Sequence, residues 1–92
     1  MFLAAYHFDG DPDALLGGYR SMVAGFPPGA LELHVCVATD SGLTVYDACP
    51  SREVFEAFSR GADLAGAVAS AGLPAPRVEP LGEVRHTVVA AP

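Results

Sequence analysis

Residues 30–50, ALELHVCVATDSGLTVYDACP, set one imidazole, His34, inside a run that otherwise reads as a buried strand. The chain then turns back at Asp40, Ser41 and Gly42 into a strand carrying Tyr46 and Asp47. An imidazole takes or gives a proton near neutral pH, which makes His34 the candidate general base. His34 shares its row with Cys36 and Ala38, small side chains that leave room beneath a helix, while Leu33, Val35 and Val37 fill the other row. In the first strand His7 shares a row with Leu3 and Ala5 and is the second candidate. The commonplace role of a lone strand histidine is structural, hydrogen-bonded to a carbonyl or carboxylate in a core or interface.

The hairpin register decides what assists His34. A two-residue turn at Ser41-Gly42 sets Cys36 opposite Asp47, with His34 its diagonal neighbour, and gives an imidazole–carboxylate dyad. A three-residue turn brings Tyr46 onto that face as a hydroxyl donor for a developing enolate or phenolate. The sequence leaves both open.

All three histidines, His7, His34 and His86, fall in expected strands, and no Cys/His spacing gathers a metal site. No metal and no cofactor are expected. Cys36 and Cys49 read as free thiols in a chain whose start, MFLAAYHFDG, lacks the basic region of an export signal. The expected location is the cytoplasm. There is no lysine, which removes Schiff-base chemistry and the phosphate-cradling P-loop lysine. Eleven acids against five arginines give a net charge of -6, a poor surface for nucleic acid. Mean hydropathy is +0.33, yet the apolar runs fall well short of the roughly 18 residues of a membrane span. No membrane partner is expected.

The elements that must hold these residues follow from caps and periodicity. Residues 2–8, FLAAYHF, are apolar on both rows, as in a strand covered on both faces. Asp11 caps a helix with Pro12 at its first position, and Leu15, Leu16, Tyr19, Met22, Val23 and Phe26 form its apolar side until PPG at 27–29 stops it. Residues 31–39 and 43–48 form the hairpin. Ser51 caps a second helix with Val54, Phe55 and Phe58 on its apolar stripe; Gly61 interrupts it and Gly72 ends it. LPAPRVEPLG, 73–82, reads as an extended connection, and a last strand spans roughly 83–90.

The order is βαββαβ over one domain, residues 1–92: a ferredoxin-like α+β fold whose four-stranded antiparallel sheet carries two helices on one face. The opposite apolar row would then lie in water, so a second copy is expected to cover it, making a homodimer and a dimeric α+β barrel. Tyr19, Met22, Phe55 and Phe58 project from the helices toward the sheet as core and, with Cys36, as lining for a small apolar or aromatic ligand.

Three segments resemble the antibiotic-biosynthesis-monooxygenase-like family of dimeric α+β barrel proteins of actinobacterial type: LELHV at 31–35, VYDACPSREVFEAF at 45–58 and AGLPAPRVEPLGEV at 71–84. The resemblance implies that fold and, among several activities of the wider group, cofactor-free oxygenation, cyclisation or isomerisation of polyketide-like or phenolic compounds, with His34 as base. Cys49-Pro50 stands where the family commonly has Trp-Glu, and with no tryptophan and no histidine on either expected helix haem degradation drops in rank. A non-catalytic binding or accessory dimer is the alternative; it predicts a cavity that is small or filled by side chains.

Overall fold

The structure, a computed structural model, describes residues 1–27 and 32–90. The Pro28-Gly29 stop and the Leu31 start of the second strand lie outside the described residues. The elements are β1 (Phe2–Asp9), α1 (Pro12–Ala24), β2 (Leu33–Thr39), β3 (Gly42–Cys49), α2 (Arg52–Arg60), α3 (Ala62–Ser70) and β4 (Arg77–Glu83). The strands pair antiparallel in the order β2-β3-β1-β4. This is the ferredoxin-like α+β arrangement, with the second helical region broken in two at Gly61. Among the described residues no helix is long and apolar enough to cross a membrane.

The expected α+β barrel is not what the strands form. β2 and β4 are the two ends of an open sheet and do not pair with each other, whereas barrel closure requires the first and last strands to meet.

Local chemistry sets the helix ends. The Asp11 carboxylate accepts from the Ala14 N–H at 2.9 Å, and the Ser51 hydroxyl from the Val54 N–H at 3.2 Å. α3 ends in a Schellman pair, Gly72 N–H to the Ala69 carbonyl and Leu73 N–H to that of Val68, each at 3.1 Å. The motif turns Leu73 into the core. Gly18, which lowers helix propensity inside α1, has a packing reason: a Cβ there would lie 2.7 Å from the Ala71 carbonyl oxygen. Only a residue without a side chain lets α1 approach the end of α3 so closely.

The helix-facing row of the central strands is large: Phe2, Tyr6 and Phe8 on β1 beside Leu43 and Val45 on β3. Leu15, Met22, Phe55, Leu64 and Val68 close over it. Phe2 and Phe55 have ring centroids 5.2 Å apart, and Tyr6 meets Phe58 edge-on at 6.3 Å.

The last strand begins six residues earlier than expected, at Arg77 rather than 83. Pro80 and Gly82, which read as connection, are accommodated because β4 is an edge strand and carries a register shift opposite Leu3/Ala4. Residues 84–90 carry no strand, and Val88 and Val89 are exposed.

The sheet face turned away from the helices is mixed rather than uniformly apolar. On β1 and β4 it carries His7, whose ring nitrogens lie 3.0 Å from Thr44 Oγ1 and 2.9 Å from Glu79 Oε1, and the Arg77–Asp9 ion pair. The apolar part runs from Leu33, Val35 and Val37 on β2 through Tyr46 and Ala48 on β3 to Leu3 and Ala5 on β1, with Val35 43% and Val37 40% exposed.

Candidate functional site

The hairpin register differs from both alternatives read from the sequence. Thr39 pairs with Gly42, so the turn is Asp40-Ser41 and Gly42 is already the first residue of β3. Ser41 is held in place by its carbonyl, which accepts from the Gly10 N–H at 2.9 Å. Cys36 therefore faces Val45, and His34 faces Asp47 directly rather than diagonally.

Even-numbered residues of β2 and odd-numbered residues of β3 share the helix-covered face. There the His34 Nδ1–H donates to Asp47 Oδ1, and Tyr19, reaching down from α1, donates its hydroxyl proton to His34 Nε2 at 2.5 Å. The phenol and imidazole planes differ by 5°. The result is a chain from a buried carboxylate, through an imidazole, to a half-buried phenol. Asp47 fixes the ring tautomer by accepting at Nδ1, which leaves the Nε2 lone pair toward Tyr19.

Burial is the main influence on the titrating groups. It raises Asp47 above the ordinary carboxylate value, opposed by the charge and hydrogen bond of His34. Burial also pushes the Tyr19 phenol up to about 12, with the neighbouring Cys36 and then Asp47 adding to it. Cys36 and Cys49 are free thiols, and burial raises both. Neither is primed as a thiolate nucleophile.

The site gathers His34, Asp47, Tyr19 and Cys36 and leaves three expected members elsewhere. Tyr46 is on the opposite face of the sheet, one residue out of phase with Asp47. His7 is on that opposite face too, bonded to Thr44 and Glu79. Phe55 is core against Phe2. Met22 and Phe58 do line the space behind the site, together with Tyr6, but that space has a volume of only about 10 Å³. At His34 the space expected to hold a ligand between sheet and helices is filled by side chains. Among the described residues no three His, Cys, Asp or Glu side chains come together in a metal-binding cluster.

Two hydroxyls escaped sequence reasoning. Tyr19 read as apolar lining, although a tyrosine on the buried side of a helix needs a hydrogen-bond partner and the facing strand offers His34 as one. Tyr6 read as part of an aromatic row; its hydroxyl was the signal.

Comparison with protein-family models, with curated proteins and with solved structures returns no match to this chain. The resemblance to antibiotic-biosynthesis-monooxygenase-like proteins is therefore not upheld: no family model matches, and the sheet stays open. The three short segments that carried it come down to a polar residue in the second strand, a capped second helix and a Pro-rich approach to the last strand, local features that do not by themselves mark a family.

Two phenols that hold their protons make the fold sensitive to alkali. Burial, with Cys49 and Asp47 adding to it, raises Tyr6 further than Tyr19. The unfolded chain releases phenolic protons near pH ~10 while the folded chain keeps them, so the stability present below that pH is lost as pH rises. Each of the two tyrosines contributes a slope of about 1.4 kcal/mol per pH unit until it ionises in the fold, for Tyr19 at about 12. Unfolding free energies from urea titrations should hold level near neutral pH, fall above about pH 9 as the unfolded chain releases protons that the buried thiols and phenols keep in the fold, and fall less steeply above about pH 10 in Tyr19→Phe.

Proposed function

We propose that the protein binds a small phenolic or enolisable, polyketide-like compound and moves a proton on it without a cofactor, in an isomerisation or cyclisation. The hydrogen-bonded series Tyr19–His34–Asp47 carries this reading. Asp47 holds the Nδ1 proton and steadies the imidazolium that forms when Nε2 removes a proton from a carbon acid. Tyr19, displaced from Nε2 by the substrate, donates its O–H to the developing enolate oxygen. Return of the proton from Nε2 to another carbon completes an isomerisation; attack of the enolate carbon on a second carbonyl breaks that carbonyl's π bond, and the alkoxide takes the proton from Nε2 to complete a cyclisation. The substrate approaches from the β2 edge, where His34, Cys36 and Tyr19 are half-buried.

The experiment is deuterium incorporation at the central carbon of acetylacetone in heavy water, followed by NMR. A rate above that of buffer plus denatured protein supports the reading; the buffer rate overturns it.

One observation favours a binding or accessory role without catalysis: the space behind His34, about 10 Å³, holds no organic molecule. On that reading the series ties β2 and β3 to α1 and nothing more. For either role we propose a homodimer in which the Leu33, Val35, Val37 and Tyr46 patch packs against its counterpart on a second copy, sheet face on sheet face. Sedimentation equilibrium should give twice the chain mass, and Val35→Glu should give the monomer with secondary structure retained. A wild-type monomer at micromolar concentration ends the dimer proposal.

A further inference from the structure

The helices cover the sheet unevenly. α2 lies over β1, with Phe55 against Phe2 and Phe58 edge-on to Tyr6. The helix-facing row of the edge strand β4 is left open: Val78, which pairs with Tyr6 on that face, is 39% exposed. A groove therefore runs along β4 in two halves that share Ser59 and Val78. One half, of about 310 Å³, follows α3 and has the buried Leu64, Val68 and Leu73 as its floor, with the small Ala65 and Ala69 at its wall. The other, of about 240 Å³, follows α2 and is lined by Arg52, Glu56 and Arg60 beside Phe55 and Pro80. Organic ligands occupy spaces of about 300 Å³ and upward, a size this groove reaches and the space behind His34 does not.

We propose that the groove binds an amphipathic monocarboxylate, its alkyl or aryl part against Leu64, Val68 and Leu73 and its carboxylate at Ser59 and Arg60. Charge decides the head group. The chain has only five arginines against eleven acids, yet two of the five line one half of this groove. The acid between them, Glu56, is already taken: Arg52 Nε donates to its Oε1 at 3.2 Å. Glu79 of the neighbouring strand is on the other face of the sheet, bonded to His7. Arg60 makes no ion pair among the described residues. A guanidinium with its donors free, set beside an apolar trough, matches a carboxylate through two parallel hydrogen bonds, while a wholly apolar occupant leaves it unanswered. The groove is at the opposite edge of the sheet from β2 and His34, so the proposal stands apart from the proton-transfer reading.

Amide NMR titration of the full chain with octanoate, and with 1-octanol as its uncharged counterpart, tests it. Octanoate should move the signals of Ser59, Arg60, Leu64, Val68 and Val78 along one saturating curve with Kd of about 1 mM or tighter. 1-Octanol should move the same signals with Kd about fivefold weaker, the most that one exposed ion pair ordinarily supplies. Arg60 is exposed, so Arg60→Gln should fold as the wild type does; it should weaken octanoate to the level of 1-octanol and leave 1-octanol unchanged. Ala69→Phe, at another exposed position, fills the apolar half with Arg60 in place and should weaken both ligands. The proposal is overturned by octanoate shifts that do not saturate by about 10 mM, by equal binding of octanoate and 1-octanol, or by an Arg60→Gln variant that binds octanoate as the wild type does. Movement of the same signals with protein concentration alone makes a second copy the occupant and overturns it too.

Discussion

Gly42→Ala is expected to cost more than about 4 kcal/mol, enough to leave a domain of ordinary stability, about 5–15 kcal/mol, marginal or unfolded. Gly42 takes φ 155, a conformation that side chains rarely adopt. A Cβ there would lie 1.9 Å from the Phe8 carbonyl oxygen and 2.9 Å from its carbon. Both obstacles are backbone of the central strand, so no rotamer change relieves them. The chain has two escapes, unfolding or moving the start of β3 away from β1. Moving β3 changes the register from Thr39–Gly42 onward, and a slip of one residue carries the partner of His34 to the other face. The variant thus reads fold and site together. Urea unfolding gives the stability, and loss of the His34 to Asp47 hydrogen bond in imidazole nitrogen NMR gives the register. Gly66→Ala is the control: nothing lies within 4 Å of its added Cβ, and stability should hold or rise.

That one glycine also marks the limit of what the sequence discloses. Caps and periodicity located β1, α1, the hairpin and the break at Gly61, because each is written in side-chain chemistry acting over a few residues. Register is not local. Asp40-Ser41-Gly42 reads as a turn with its glycine inside; the structure puts that glycine first in the strand, for a close approach to Phe8, which is 34 residues away in the chain. β4 was missed for a related reason. Pro80 and Gly82 argue against a central strand, and only the knowledge that this strand is at an edge removes the objection.

The two sheet faces were misjudged at His7 because small neighbours were taken as the sign of a covered cavity. On β1 the helix-facing row is the large one, Phe2, Tyr6 and Phe8, since the centre of the sheet must be filled. On β2 the helix-facing row is small, and Tyr19 and Phe26 bring the bulk down from above. The same rule of complementary volume acts with opposite sense on the two strands. His34 with Asp47 was one of two pairings the sequence left open, and as a diagonal one; the third member, Tyr19, comes from a separate element and required the packing of α1.

If the proton-transfer proposal holds, replacing His34 should produce the largest change in activity. With acetylacetone exchange as the readout, His34→Gln is expected to lower the rate by about 10² to 10⁴, the range for a positioned general base. Glutamine is preferred to alanine because its amide N–H replaces the donor to Asp47 and avoids stranding a buried carboxylate, whose loss of partner costs about 3–5 kcal/mol in stability. Tyr19→Phe should lower the rate by about 10² to 10³, as removal of one donor to a developing oxyanion does, with the imidazole and carboxylate left joined. The two effects should not add: once the base is gone there is no enolate for the phenol to stabilise, so the double variant should resemble His34→Gln alone. A structural role predicts the reverse pattern, in which stability falls in both variants, the losses couple through the shared hydrogen bond, and any exchange rate is untouched. Equal rates in wild type and His34→Gln, with both proteins folded, would end the case for His34 as a base. Non-additive rate losses with unchanged unfolding midpoints would mean that Tyr19 and His34 act on the same proton transfer, since the shared hydrogen bond alone has no means of producing them.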